Sequence, residues 1–123
     1  MIYSDERKRR IKALIAHRRE FRRVEKEVLG KNVRAFTHDL DKLVGYYLLL
    51  SIPWLRKRHK LKARHHQATT RKDFIEKIID FECARFSKRN SPLTAREYIM
   101  SDDFKTRTIS RGDLFKVLEE IGL

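Results

Sequence analysis

Five histidines punctuate this 123-residue chain in the order His17, His38, His59, His65 and His66, and Asp39 follows His38 directly. Asp80 comes later, inside an apolar stretch that contains Ile78, Ile79 and Phe81. Imidazole nitrogens and carboxylate oxygens are the ligands that a hard or borderline divalent cation takes. His17, His38, Asp39 and Asp80 are therefore candidate ligands for Mn²⁺, Mg²⁺, Fe or Zn²⁺. Asp80 stands out because a carboxylate among aliphatic neighbours is costly unless it is paired or metal-bound. A metal held this way lowers the pKa of a bound water and clamps a phosphoryl oxygen. Lys42 falls four residues after His38, on the same helix face, where it could grip a substrate phosphate as a point charge. Asp39 and Lys42 are thus the candidate catalytic residues. His59, Lys62, Arg64, His65 and His66 could supply further phosphate contacts or metal ligands.

Each of these residues also has a plainer reading. His17 lies on an apolar stripe and could be a core histidine. His38 or Asp39 could cap a helix. Asp80 could pair with Arg34 or Arg85, and His65 and His66 could lie in solvent or against a nucleic-acid backbone.

The elements that must position these side chains read as helices. The first runs from about Ser4 to Leu29, with Ser4 as N-cap, Asp5 and Glu6 in the first turn and Gly30 as terminator. Ile11, Leu14, Phe21, Val24 and Val28 recur at steps of three and four and mark a core-facing stripe that includes His17. Arg18, Arg19, Arg22 and Arg23 flank it. A second helix begins near Val33 to Thr37 and continues to about Leu50, carrying His38, Asp39 and Lys42 early. Its later residues, Tyr46 to Leu50, are apolar all round, which predicts burial on most sides. Pro53 should end it, because proline lacks a donor and disfavours helix at Ile52. The acid-free basic run from Arg56 to His66 is expected as a loop or short helix. A third helix should start after Thr69 or Thr70 and reach about Arg89, with an apolar face of Phe74, Ile75, Ile78, Ile79, Phe81 and Phe86. Thr94–Glu97 and Ser110–Asp113 look like capping boxes that open two shorter helices. The expectation is one all-α domain over residues 1–123, a compact bundle of about five helices.

Composition narrows the partners. Lys and Arg number 30 against 17 Asp and Glu, a formal charge of +13 that attracts phosphate-rich or other acidic partners at long range. The single Cys83 excludes an internal disulfide and suits a reducing compartment. The N-terminal ten residues lack the apolar core of a secretory signal. The uncharged run from Leu43 to Leu55 is shorter than the roughly 17–25 residues of a spanning helix and contains Pro53, so no membrane span is expected.

The string His38-Asp39-Leu40-Asp41-Lys42 resembles the His-Asp-Leu-Ser-Lys signature of a small family from phages and bacteria. In that family a histidine on an upstream helix corresponds to His17, and a basic segment ending in paired histidines corresponds to His59 and His65–His66. A later aspartate corresponds to Asp80, and a Ser-Pro-Leu element to Ser91-Pro92-Leu93. The similarity runs from His17 to the end of the chain, and the family in turn resembles HD-domain phosphohydrolases. Two positions depart from the family pattern: Asp41 stands where it has serine, and Arg58 where it has the first of two histidines. A third departure is the gap from the His-Asp pair to Asp80, which is short beside larger HD enzymes. The resemblance implies an HD-like helical fold and metal-dependent hydrolysis of a phosphomonoester or phosphodiester, often of a nucleotide. It also implies a bacterial or phage-infected cytoplasm. The rival expectation is a basic helical module that binds nucleic acid or an acidic protein without catalysis.

Overall fold

The computed structural model describes residues 2–63, 66, 70–87, 92–101, 104 and 109–123. The described residues form six helices and no strand, so the chain is all-α. They are α1 (Asp5–Leu29), α2 (Leu40–Tyr47), α3 (Ile52–Lys62), α4 (Arg71–Ser87), α5 (Ala95–Met100) and α6 (Arg111–Glu120).

α1 keeps its expected limits. The Ser4 side chain accepts from the Arg7 N–H, and Gly30 closes the helix with a positive φ of 76° that glycine adopts at no steric cost. At the other end of the chain, Thr94 and Glu97 make a full capping box at α5, while Ser110 accepts from the Asp113 N–H at α6.

Between these limits the second expected helix is really two elements. Residues 33–39 form turns, α2 starts only at Leu40, and a separate helix α3 occupies the expected basic loop. Pro53 sits in the first turn of α3 instead of terminating what precedes it. There its missing N–H is an orphan donor that no helix would have satisfied. This accounts for six helices where about five were expected.

Nor is the end of α2 buried. Tyr46 lies in the interior, but Tyr47, Leu48, Leu49 and Leu50 are exposed, as is Trp54 at the start of α3. The α2–α3 corner turns outward because α1 holds it by its carbonyls: Arg7 donates to Tyr46 O and Leu50 O, and the Tyr3 hydroxyl to Tyr47 O. Phe86, expected on the apolar face of α4, is half-exposed under the guanidinium groups of Arg23 and Arg85.

Two apolar clusters result. The larger joins Phe21 and Val24 of α1 to Ile75, Ile78, Ile79 and Cys83 of α4, and to Ala95, Ile99, Leu114 and Leu118 of α5 and α6. The smaller contains Ile11 and Leu14 of α1, Tyr46 of α2 and Leu55 of α3. In α2, Gly45 lets α3 come close, since a Cβ there would collide with the Leu55 side chain. His17 falls between Leu14 and Phe21, at the seam of the two clusters. No helix is long and apolar enough to cross a membrane among the described residues.

Candidate metal centre

His17, His38, Asp39 and Asp80 converge at that seam. One donor atom from each lies within 4.8 Å of the other three. His17 comes from α1 and Asp80 from α4, while His38 and Asp39 come from the turn ahead of α2. The two Nε2 atoms are 3.3 Å apart, and Asp80 Oδ1 lies 2.7 Å from that of His17 and 3.0 Å from that of His38. Asp39 Oδ2 is 3.6 and 3.5 Å from the same two nitrogens. Donors placed about 2.0–2.2 Å from one ion at tetrahedral or octahedral angles stand about 2.9–3.5 Å apart, so this donor set fits a single cation.

Backbone geometry aims Asp39 at the centre. Its φ of 55° is left-handed, a region that aspartate tolerates better than most residues. Asp39 precedes α2 at the cap position, yet its carboxylate makes no capping hydrogen bond. It turns inward instead, buried at 6% exposure. The capping alternative does not hold for Asp39.

The turn itself is clamped by groups that sequence patterning passes over. The buried Glu25 carboxylate of α1 accepts from the backbone N–H groups of Val33, Arg34 and Ala35. From the same helix, Arg18 donates to Phe36 O and His38 O. Arg34 bridges to Asp73 and Glu76 of α4, and Arg85 pairs with Glu82, so Asp80 is left to the two histidines and not to either arginine.

Both imidazoles are oriented through their far nitrogens. His38 Nδ1 lies 3.0 Å from Glu76 Oε2, and the ring stacks on Phe21 with centroids 3.9 Å apart. His17 Nδ1 lies 3.2 Å from Ser87 Oγ, whose hydroxyl donates to Cys83 O. Each Nδ1 then carries the proton that its oxygen partner accepts, and each Nε2 lone pair faces the centre. A buried partner holding the tautomer of a ligating histidine is a recurrent part of metal sites. Only the through-space contact reveals Glu76 and Ser87, because neither has a distinctive spacing from the histidines.

Without an ion, protons fill the role of the cation. Burial opposes charge on His38, but hydrogen bonds to Asp80 and Glu76 outweigh it, and the pKa is pushed up from 6.5 to about 10. Burial likewise opposes ionisation of Asp39 and Asp80. Their histidine partners win, His59 for Asp39 and the His17–His38 pair for Asp80, and both carboxyls fall well below the ordinary range. Burial also drives the Lys77 ammonium below its usual value, against the pull of Asp80.

His59 takes a different place from the four. It is buried, with Nε2 2.9 Å from Asp39 Oδ1 and Nδ1 3.0 Å from Asp41 Oδ1. Burial disfavours its charged form, yet the hydrogen bonds to Asp39 and Asp41 raise its pKa. It links two carboxylates and holds Asp39 from behind, so Asp41 has a partner of its own in His59. The His66 ring packs edge-on against His59, with centroids 4.9 Å apart.

Lys42 stands at two mouths of the centre. One is a cavity of about 140 Å³ that it shares with Asp39, Asp80, His59, Arg56 and Lys60. The other, of about 180 Å³, it shares with Arg10, His17 and Ser87. Lys62 lines a third recess with Asp39, Asp41 and Arg58. Arg64 and His65, expected as additional contacts, lie outside the described residues. Comparison of the chain with family models, curated proteins and solved structures gives no match.

Proposed function

We propose that this centre binds one divalent metal and that the protein is an HD-like, metal-dependent phosphohydrolase acting on a nucleotide or another phosphate ester. The observation that carries the reading is the pair of Nε2 atoms 3.3 Å apart, faced by the Asp39 and Asp80 carboxylates at the bottom of a lysine- and arginine-rimmed cleft. Two imidazoles with two carboxylates suit Mn²⁺, Fe or Zn²⁺ better than Mg²⁺, which prefers an all-oxygen shell. When bound, such an ion activates water for attack at phosphorus and polarises a phosphoryl oxygen.

The chain's own residues do the rest. Lys42 places an ammonium beside Asp39 and Asp80, where it attracts an incoming phosphate. Arg56 and Lys60 extend that positive rim outward. Asp39 is held by His59, so it presents a fixed carboxylate to the reacting side. Glu76 and Ser87 keep both histidines in the tautomer that offers Nε2.

Elemental analysis after incubation with Mn²⁺ or Zn²⁺ should find about one ion per chain. His38→Ala combined with Asp39→Ala should remove it. Less than about a tenth of an ion per wild-type chain would overturn the reading. The loaded protein should then hydrolyse a member of a panel of nucleotides and phosphodiesters, and Lys42→Ala should raise KM for it.

A further inference from the structure

The largest cavity in the molecule, about 530 Å³, is not at the metal centre. It lies between α1 and the turn of residues 32–40, and its walls include Ile15, Arg18, Arg19, Arg22, Asn32 and Phe36. Successive helix residues turn by about 100°, so Arg18, Arg22, Ile15 and Arg19 occupy the flank of α1 next to the stripe that carries Leu14, His17 and Phe21. The groove and the metal centre thus lie on opposite sides of the His38 turn.

Its chemistry is that of an anion site with a flat apolar platform. Three guanidinium groups line it and no carboxylate does. Elsewhere on α1, Arg10 pairs with Glu6, and Arg23 pairs with Glu20 and Glu27. Among the described residues neither Arg19 nor Arg22 has an acidic partner. Arg18 is committed to the carbonyls of Phe36 and His38, which fixes the turn that carries the aromatic ring. Phe36 is 77% exposed, although its neighbours on both sides include fully formed core, and nothing in the fold needs a phenylalanine there. An exposed ring beside unpaired guanidinium groups is what a stacked base and its phosphate call for. The ring supplies the stacking face, and arginine gives bidentate contacts to phosphate oxygens. The volume also falls within the roughly 300–1,000 Å³ typical of small-ligand sites.

We propose that this groove binds a nucleoside phosphate, free or as one unit of a single strand, with the base on Phe36 and the phosphate on Arg19 and Arg22. The inference does not rest on metal binding, and its test is run without metal. Fluorescence anisotropy of a labelled 12-mer of thymidylate is measured with the full chain in chelator, so that loss of the metal centre cannot affect the outcome. Arg19→Glu with Arg22→Glu should weaken binding at least about tenfold and make the log affinity–log salt slope shallower by roughly 1.4, about 0.7 for each phosphate lost. Phe36→Ala should weaken it about 5- to 100-fold, the range for one stacked base, and Phe36→Trp should restore it. Both positions are on the surface, so the variants should fold, and unchanged circular dichroism checks this.

A mononucleotide titration separates the two sources. If the mononucleotide binds with the same sensitivity to Phe36→Ala, the site takes free nucleotide; if only the 12-mer does, it takes a strand. The proposal is overturned if the Arg19/Arg22 variant binds the 12-mer as the wild type does. It is equally overturned if Lys57→Glu with Arg58→Glu on α3 alone abolishes binding. Polyglutamate competing as well as the oligonucleotide, with Phe36→Ala silent, would show a charge-only surface and likewise end it.

Discussion

His38 is the residue on which the centre turns, since it touches His17, Asp80, Glu76 and the Phe21 ring. Removing the charge of its buried partner while keeping the shape isolates the role of that partner. Glu76→Gln should lower metal affinity about 10- to 100-fold without changing stoichiometry, as read by competition with a chromogenic chelator. An unchanged affinity would mean that Glu76 only serves Arg34. The pH dependence of stability follows the same residue. The folded pKa of His38 is about 10 against 6.5 for a free imidazole, so its contribution to metal-free stability is complete below about pH 6.5 and is lost as pH rises through 10. Asp39 and Asp80 have folded values below the ordinary 3.8, so their contribution is present above that pH and lost on acidification. Metal-free protein should therefore show its highest Tm between about pH 5 and 6.5 and a falling Tm toward pH 10. Metal-loaded protein should lose much less over that alkaline range, because the ion requires His38 neutral. A chelator-treated Tm that is flat from pH 6.5 upward would contradict the protonated state assigned to His38.

At the scale of elements, the short turn before α2 carries two of the four donors and has little helical bonding of its own. Glu25 compensates by accepting three backbone N–H groups from it. Glu25→Ala should destabilise the protein by roughly 2–4 kcal/mol in denaturant titrations, since it strands buried donors, and should weaken metal binding as well. The α2–α3 contact depends on a missing side chain: Gly45→Ala should cost about 1–3 kcal/mol by forcing the Leu55 side chain aside. A neutral result there would mean that α3 can move outward freely. The helices α1 and α4 were legible because their caps and their three- and four-residue apolar steps are local signals. The α2–α3 corner was not. Leu48 to Leu50 look like core on hydropathy alone, and only the grip of Arg7 and Tyr3 on the carbonyls near them turns the corner outward.

Across the whole molecule, the centre joins two apolar clusters that meet at His17. A cation there would tie α1, the His38 turn and α4 together, and binding to the folded state alone stabilises it by mass action. At a free metal concentration of about 100 times Kd the gain should be about 2.7 kcal/mol, visible as a rise in Tm that His38→Ala abolishes. The excess of 13 positive charges acts at this scale too, and the structure divides it. One part rims the metal cleft at Lys42, Arg56 and Lys60, and another lines the groove at Arg18, Arg19 and Arg22. What the sequence determined alone was the helical class, the ends of α1 and the donor types, because periodicity, capping and ligand chemistry are properties of residues and their near neighbours. Tertiary structure decided that those donors meet, that Glu25, Glu76 and Ser87 support them, and that Phe36 stands in solvent. These depend on which distant segments pack together, and no local spacing encodes that.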